Sequence, residues 1–265
     1  MKKKVLKEKI SILGCGWLGR PLAISLIKKG FTIKGSTTSE AKLSEFQEVG
    51  ITPFLISIDY LTHNISTFLD SEILIMTLSS KDIEGFKNLI CLIEKSAIKK
   101  VIFISSTSVY DNSDKIVTEE SETLPIALST IEMLFKNSTH FETTIIRFAG
   151  LFGYNRKPGN FFKDGRKIPN PDGFVNMIHQ DDCIQLIEKV IEKNAWNQIF
   201  NGCADTHPTR KEFYTKCTLD IGLKLPEFEE VVQLQKKIIS NKKSKEILGL
   251  NYQYGDLLKL NYGTL

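Results

Sequence analysis

Residues 10–30 read ISILGCGWLGRPLAISLIKKG, and this stretch decides the fold class. It places Gly14, Gly16 and Gly19 in G-x-G-x-x-G spacing, after an apolar run that predicts a strand and at the start of a run that predicts a helix. In that setting the first glycine permits a tight turn, the second lets a pyrophosphate approach the backbone, and the third allows close packing of helix on strand. The stretch therefore predicts a dinucleotide-binding turn. The alternative is a glycine-rich turn without a ligand.

The residues between these glycines complete the predicted cofactor-binding turn. They are Cys15, Trp17 and Leu18. The helix that follows offers free N–H groups and a partial positive charge at its N-terminus, which favours a bound phosphate. We expect Trp17 to cover the phosphates or to pack on the sheet rather than to react.

The first 150 residues alternate short, apolar, β-branched runs with longer segments of helical spacing. This alternation indicates βαβ units around a parallel sheet, so we expect an α/β fold of the Rossmann type, a doubly wound sheet with helices on both faces. The predicted strands are 9–13, 31–35, 52–56, 73–77, 100–105 and 143–148, and the predicted helices are 21–29, 39–49, 83–95 and 129–137.

The chain changes character after Gly150, where residues 150–174 are rich in Gly, Pro and Asn and are predicted to lack regular structure. Long loops of this kind often bind substrate. A helix over 182–193, a strand over 198–202 and a helix over 210–221 are predicted to follow. We divide the chain into a basic arm (1–9), a dinucleotide-binding Rossmann domain (10–150) and a C-terminal substrate lobe (151–265), with about 182–202 returning to the Rossmann sheet.

The charge is concentrated at the N-terminus. The chain has 265 residues and a formal net charge of +4, and residues 1–9 alone hold five Lys and one Glu. The remainder is electrically balanced, whereas a domain that wraps nucleic acid carries its excess charge on its own surface. We expect no nucleic-acid partner. The alternative is that the arm itself binds nucleic acid or a membrane surface.

The cysteines and apolar runs indicate the compartment. Five Cys are widely scattered without a C-x-x-C pair, and the four His lack metal-ligand spacing, so neither a disulfide framework nor a metal site is expected. The longest purely apolar runs, such as Ile73–Met76, are far shorter than the roughly 20 residues that span a bilayer. We expect a cytoplasmic protein without a membrane partner.

The end of the second predicted strand bears on the choice of cofactor. An NAD site usually carries Asp or Glu there for the adenosine ribose. This chain has Ser36, Thr37 and Thr38, with Lys34 and Lys42 nearby and its first acid at Glu40. Hydroxyls and a lysine suit a 2′-phosphate better than a carboxylate does, so the sequence favours NADP over NAD. The alternative is that these hydroxyls only cap the next helix.

Three further segments resemble one known family. SSTSVYDN (105–112), RFAGLFG (147–153) and NMIHQDDC (176–183) follow the glycine motif in an order and spacing similar to the extended short-chain dehydrogenase/reductases, the NAD-dependent epimerase/dehydratase group. The resemblance covers nearly the whole chain from Ile10 onwards. Its fold would be a Rossmann domain with a small substrate lobe, and its members are often homodimers.

The resemblance implies roles for particular residues. Ser106, four residues before Tyr110, matches the family's catalytic Ser/Thr; the alternative is a hydroxyl that satisfies backbone at a strand end. Arg147 matches the strand end beside the nicotinamide and substrate, and it could instead be a structural ion-pair partner. By the same resemblance Thr77 and Ser79 match the region that lines the cofactor, and the alternative is that they are ordinary turn hydroxyls; Ser105 is also assigned to the cofactor. Arg147 and Asn176 are assigned to a small polar substrate, and Tyr154 and Arg156 in the second lobe are candidates to line its pocket.

One expected feature of the family is missing. Its catalytic pair is Tyr-x-x-x-Lys, with the lysine lowering the pKa of the tyrosine, and no Tyr in this chain is followed by Lys at that spacing. The chain therefore resembles the atypical subgroup, which keeps the fold without the pair. A proton would have to come from Ser106, Tyr154 or a bound water.

Two functions stay open from the sequence. The first is an NAD(P)-dependent oxidoreductase or epimerase/dehydratase-like enzyme acting on a small polar substrate, with a nucleotide-sugar as one candidate. The second is a dinucleotide-binding protein without redox turnover, acting as a sensor or in a complex. In either case we expect the pyrophosphate on the 14–19 turn and the nicotinamide toward Ser106 and Arg147.

Overall fold

The structure is a computed structural model that describes residues 8–59, 61, 64–112, 114–230 and 236–265. The basic arm predicted over residues 1–9 lies outside the described residues except for its last two.

The helices and strands follow one another as the alternation of the sequence predicts through the first 150 residues. The strands are β1 (Lys9–Leu13), β2 (Thr32–Thr37), β3 (Thr52–Leu55), β4 (Ile73–Met76), β5 (Lys100–Ser106), β6 (Ile116–Val117), β7 (Glu142–Phe148), β8 (Gly150–Phe152), β9 (Met177–His179), β10 (Ile199–Gly202) and β11 (Ile238–Ile239). The α-helices are α1 (Gly19–Lys28), α2 (Leu43–Glu48), α3 (Ile65–Phe68), α4 (Ile83–Ile93), α5 (Ala127–Asn137), α6 (Gln180–Glu192), α7 (Arg210–Asp220) and α8 (Lys242–Leu248).

Seven strands form the central sheet in the order β10-β7-β5-β4-β1-β2-β3. The pairs β1–β2, β2–β3, β1–β4 and β4–β5 are parallel. The strand order reverses between β1 and β4, and in open sheets of this kind ligands bind outside the carboxyl ends of the strands at that reversal. The predicted Rossmann-type fold is confirmed.

The chain divides into two compact units. The first comprises the chain up to Ser105 together with Pro125–Ile146 and Val190–Ile199, and it holds most of the central sheet. Its core lies on the face of the sheet where α4 and α5 pack against β4 and β5. Continuous apolar strands such as ILIM in β4 are buried along their whole length, as expected where helices cover both faces of a sheet.

The second unit comprises Ser106–Leu124, Arg147–Lys189 and Phe200–Leu265. Two small parallel strand pairs lie in it, β8 with β9 and β11 with β6. Its own core includes Phe152, Phe213 and Tyr262, and the Tyr262 ring contacts the other two. The two units therefore bury separate apolar clusters.

Several elements differ from the sequence predictions. The helix predicted over 39–49 is a 3₁₀ turn, Glu40–Lys42, followed by α2. Residues 150–174 were expected to lack regular structure, yet Gly150–Phe152 forms β8 because β9 supplies a partner 27 residues away. Strands of two or three residues depend on such distant partners, so periodicity along the chain cannot reveal them.

Among the residues that the structure describes, no helix combines the length and apolar character that crossing a bilayer requires.

The ring of Phe135 joins α5 to the sheet and gives the first prediction. This ring is fully buried, stacks on Phe103 with centroids 5.2 Å apart and meets Phe86 edge-on at 5.8 Å. We expect Phe135→Ala to lower the free energy of unfolding by about 3–5 kcal/mol because it opens a cavity among three rings. Met133→Ala, on the exposed side of the same helix, should change it by less than about 1 kcal/mol. Urea unfolding of both variants measures this, and equal losses would contradict the packing described.

Candidate functional site

The turn after β1 is held in place by two side-chain hydroxyls. The N–H of Gly14 donates to Ser36 Oγ at 2.8 Å, and its carbonyl accepts from Thr77 Oγ1 at 2.5 Å. Ser36 lies one residue before the end of β2 and Thr77 follows β4, and these are the two strands that flank β1 in the sheet. The turn is therefore fixed from both sides at the point where the strand order reverses.

The three glycines of the turn serve different purposes. Gly14 has φ +97°, and a Cβ there would lie 2.7 Å from Leu78 Cδ2, while a Cβ on Gly19 would lie 2.5 Å from the carbonyl oxygen of Gly14. Packing within the protein thus requires glycine at both positions. At Gly16 nothing lies within 4 Å of the same point, and the residue is exposed. The open space over Gly16 is where a ligand can approach the backbone.

The variable positions of the turn point in two directions. Cys15 is buried, its Sγ donates to the carbonyl of Ile12 at 3.7 Å, and burial raises the pKa of this thiol to about 12. Leu18 is also buried, whereas Trp17 is half-buried. Cys15 and Leu18 are therefore packing residues, and Trp17 is the large side chain of the turn that retains an exposed surface.

The end of β2 is arranged differently from the sequence expectation. Ser36 is 1% exposed and its hydroxyl is engaged by Gly14, so it supports the turn. The ammonium of Lys34 donates to the carbonyls of Thr67 and Asp70 at 2.6 Å each, and so it closes the carboxyl end of α3. Burial lowers the pKa of Lys34. This lysine is committed to the protein itself rather than to a phosphate.

The groups near the end of β2 that stay accessible are few. Thr37 is half-buried and accepts the N–H of Ser39 at 3.1 Å, while Thr38 and Lys42 are exposed. Glu40 is also exposed, one turn further along the chain. Thr38 and Lys42 are therefore the predicted contacts to the ribose end that remain available.

The ends of β4 and β5 supply the other predicted cofactor residues. Ser79 is exposed after β4. Ser105 is buried in β5 and donates to Glu132 Oε1 on α5 at 2.5 Å. Sequence reasoning missed Glu132, a carboxylate that is only 3% exposed. A signal was present, because Glu132 stands among Leu128, Ile131 and Phe135 on the apolar face of the predicted helix.

In the second unit, Ser106 begins a short loop. Its Oγ accepts the N–H of Ser108 at 3.1 Å, which leaves the hydroxyl proton free to be donated elsewhere. Lys237 holds the same loop, because its ammonium donates to the carbonyls of Thr107 at 3.3 Å and Tyr110 at 3.0 Å. Burial lowers the pKa of Lys237. This lysine is too distant in the sequence for motif reasoning to connect it with Ser106.

A buried polar network lies behind that loop. Arg147 Nη1 donates to Tyr110 Oη at 2.7 Å, and Tyr110 Oη donates to Asn201 Oδ1 at 2.9 Å. The N–H of Asn201 in turn donates to Glu119 Oε1 at 2.7 Å. Burial raises the pKa of both Tyr110 and Glu119. Arg147, a predicted substrate residue, is only 4% exposed here and stacks on the Tyr110 ring.

The other predicted substrate residues lie in two settings. Asn176 uses its side-chain amide on the backbone, donating to the carbonyl of Lys237 at 2.8 Å and accepting from the N–H of Ile239 at 2.9 Å. Tyr154 and Arg156 are exposed on the tight turn after β8. Asn176 therefore anchors β11, and the accessible pair is Tyr154 and Arg156.

His179 is the centre of an aromatic cluster beside that turn. It is 1% exposed, stacks on Tyr254 at 3.6 Å between centroids, and its Nδ1 accepts the N–H of Asp181. Burial lowers the pKa of His179 to about 4, although the charge of Asp181 opposes this shift. Tyr154 and Tyr254 both donate their hydroxyls to Asp181. Across the described parts of both units, no group of three or more His, Cys, Asp or Glu is placed to hold a metal ion.

Comparison with known proteins agrees with the turn geometry. Residues 9–128 match the model of the NAD binding domain of 6-phosphogluconate dehydrogenase. Over 269 aligned positions the chain is 30% identical to Protein YeeZ of Escherichia coli strain K12, covering 95% of this chain and 98% of that protein. The chain belongs to the YeeZ family.

Solved structures of two nucleotide-sugar epimerases share the fold of this YeeZ-family chain. UDP-glucuronic acid 4-epimerase from Bacillus cereus, in complex with UDP-glucuronic acid and NAD, has a TM-score of 0.76 at 17% identity, over 96% of this chain and 98% of that chain. UDP-glucose 4-epimerase from Thermotoga maritima, with UDP-glucose, has a TM-score of 0.75 at 18% identity, over 96% and 97%. The resemblance read from the motifs is confirmed at the level of the fold.

The different constraints on the three glycines predict different stabilities. Gly14→Ala and Gly19→Ala should each lower the free energy of unfolding by about 2 kcal/mol or more, because a Cβ meets the neighbouring chain and, at Gly14, the positive φ is strained. Gly16→Ala should change it by less than about 1 kcal/mol. Thermal and urea unfolding of the three variants tests this order. A large loss at Gly16 would show that the open space is not real.

The depressed pKa of His179 predicts a pH dependence. The neutral imidazole is favoured in the folded state, so its contribution to stability is present above the unfolded pKa of 6.5 and is lost as pH falls toward about 4. Relative to His179→Phe, the wild type should lose about 2 kcal/mol between pH 7 and pH 5. Asp182, whose pKa burial raises to about 6, has the opposite dependence but is common to both proteins. Urea unfolding of both proteins at pH 7 and pH 5 measures this loss. A difference in unfolding free energy between wild type and His179→Phe that is the same at both pH values would contradict the prediction.

Proposed function

We propose that this YeeZ-family protein binds a nicotinamide dinucleotide on the Gly14–Gly19 turn and acts as an oxidoreductase or epimerase/dehydratase-like enzyme on a small polar substrate. The observation that carries the proposal is the open space over Gly16, beside two glycines that the fold itself requires. Packing within the protein does not explain a glycine at position 16. Its place in a turn at the reversal of strand order fits a site where a pyrophosphate binds the backbone. The match of residues 9–128 to an NAD binding domain supports it.

The chain's own groups take separate roles in this proposal. The backbone of the turn and the N-terminus of α1 hold the pyrophosphate. When bound, the nicotinamide supplies hydride transfer. Ser106 is the proposed catalytic residue, since its hydroxyl accepts the N–H of Ser108 and keeps its own proton to donate to a substrate oxygen. Lys237 fixes the loop that carries it.

The substrate proposal rests on the second unit and on the structural relatives. Tyr154 and Arg156 are exposed there and offer a hydroxyl and a cation to a polar or anionic substrate. The epimerases from Bacillus cereus and Thermotoga maritima hold UDP-glucuronic acid and UDP-glucose respectively. A nucleotide-sugar is therefore the first substrate class to screen.

A second candidate function is dinucleotide binding without redox turnover. It is favoured because the chain lacks the usual proton-transfer pair. The chain lacks Tyr-x-x-x-Lys. The hydroxyl of Tyr110, which follows Ser106 closely, is buried between Arg147 and Asn201 and is not available to a substrate. A screen of polar alcohols and ketones with wild type and Ser106→Ala separates the two functions: turnover that depends on Ser106 supports the enzyme, and saturable binding without turnover supports the sensor.

We also propose NADP(H) as the preferred cofactor, in a cytoplasmic homodimer. The preference rests on hydroxyls and exposed Lys42 near the end of β2, where an NAD site usually carries a carboxylate. Because Lys34 donates to the carbonyls at the end of α3, Lys42 is the lysine near the end of β2 that is proposed to meet a 2′-phosphate. The five free thiols suit a reducing compartment, and the homodimer rests on the family resemblance.

Cofactor binding is the prediction that tests the proposal. Titration with NADPH and NADH, followed by nucleotide emission and tryptophan fluorescence, should give saturable micromolar binding to the wild type, with NADPH tighter. Gly16→Val should stay folded and weaken both nucleotides by about tenfold or more, because its side chain fills the space that the pyrophosphate needs.

The matched control is Met133→Ala, an exposed change that should leave binding intact. Tighter binding of NADH would contradict the NADP preference alone. Failure of the wild type to bind either nucleotide would overturn the proposed function.

A further inference from the structure

Arg20 lies beside the glycine turn with its side-chain Nε unpaired among the described residues. It follows Gly19 in the first turn of α1 and is half-buried. Its Nε is fully buried and has no hydrogen-bond partner, and among the described residues its guanidinium has no ion pair or ring contact. A buried donor left unpaired costs free energy in a folded protein. The contacts of Arg20 with the rest of the protein therefore do not explain its position.

The position of Arg20 at the start of α1 is also electrostatically unfavourable. α1 begins at Gly19 with no acidic residue in its first turn, and Leu18 before it provides no side-chain cap. The N-terminus of a helix carries a partial positive charge, so a cation there is unfavourable. Lys28, in the last turn of the same helix, is placed where the helix favours a cation. An anion at the turn would reverse the cost at Arg20.

The position of Arg20 on the helix favours an approach of its side chain to the turn. Side chains on an α-helix lean toward its N-terminus, which for Arg20 is the side of Gly16 and Gly19. Gly16 is open on its outer surface. A guanidinium offers several N–H donors in a fixed fork that matches phosphate oxygens.

We propose that Arg20 binds the pyrophosphate oxygens of the dinucleotide as a side-chain partner to the backbone of the turn. The inference rests on the proposed function, since it names a further binding residue of the same site. It assigns Arg20 to the phosphates common to NAD(H) and NADP(H), and so it makes no contribution to the choice between them.

Three variants and three ligands test the assignment. Arg20→Gln removes the charge, Arg20→Lys keeps a cation without the fork, and Lys28→Gln removes the same charge from the exposed far end of α1 as the matched control. The ligands are NADH, NADPH and ADP-ribose, which all carry the pyrophosphate, while only NADPH carries the 2′-phosphate. Affinities are measured by calorimetry at several salt concentrations, and melting temperatures are measured without ligand.

The expected result has two parts. Arg20→Gln weakens all three ligands by a common factor of about ten or more, Arg20→Lys restores part of the loss, and Lys28→Gln leaves the affinities unchanged. The dependence of affinity on salt becomes shallower in Arg20→Gln because one cation no longer contacts phosphate. In the absence of ligand, Arg20→Gln melts at or above the wild-type temperature, while Lys28→Gln melts slightly below it. Loss of binding without loss of stability is a pattern that a structural arginine does not give.

Each contrary result has a distinct meaning. Unchanged affinities in Arg20→Gln, with a wild type that binds, would overturn this inference and leave the proposed function standing. A loss confined to NADPH would move Arg20 to the 2′-phosphate and overturn the assignment to the pyrophosphate. A melting temperature of Arg20→Gln below that of Lys28→Gln would give the residue a structural role. A wild type that binds none of the ligands would overturn both proposals together.

Discussion

The nucleotide-binding unit depends on the position of the Gly14 peptide, which two hydroxyls fix from opposite sides. Ser36 accepts its N–H and Thr77 donates to its carbonyl, and these residues come from the strands on either side of β1. The turn cannot shift without breaking a bond to one half of the sheet. α1 is fixed in consequence, because Gly19 at its first position lies against the carbonyl oxygen of Gly14. The position of the helix N-terminus, and so the place where an anion would be held, therefore depends on these two hydroxyl groups.

The sequence predicts the turn and the strand–helix alternation because both are local patterns. It cannot predict the use of Ser36 and Lys34, since a hydroxyl or an ammonium at a strand end is equally suited to a ligand and to a backbone group. The deciding fact is which face of β2 each side chain occupies. Lys34 and Ser36 lie on the same face of β2 because residues two apart in a strand point to the same side, and both are buried there. Their partners, Gly14 and the end of α3, lie 22 and 33 or more residues away in the sequence.

The polar network of the second unit shows a stricter limit on prediction. Tyr110, Arg147 and Asn201 belong to three separate segments: Arg147 lies 37 residues after Tyr110, and Asn201 lies 91 residues after it. Motif spacing identified Arg147 and the segment of Tyr110, yet it could not show that they satisfy one another in a buried site. Glu132 is a different case. Its place on the apolar face of α5 is visible in the sequence, and a carboxylate there requires a buried partner, which Ser105 provides.

Stability and function make different demands on the residues of the turn. Gly14, Gly19, Ser36 and Thr77 are explained by the folded protein alone, because each removes a clash or satisfies a backbone group. Gly16 and Arg20 are not explained in this way, since one leaves space empty and the other leaves a donor unpaired beside a like charge. A ligand that binds only the folded state adds its own stabilisation, which grows with the ratio of its concentration to its Kd. The physical case for a ligand therefore rests on Gly16 and Arg20, the two residues at the turn that the fold itself does not require.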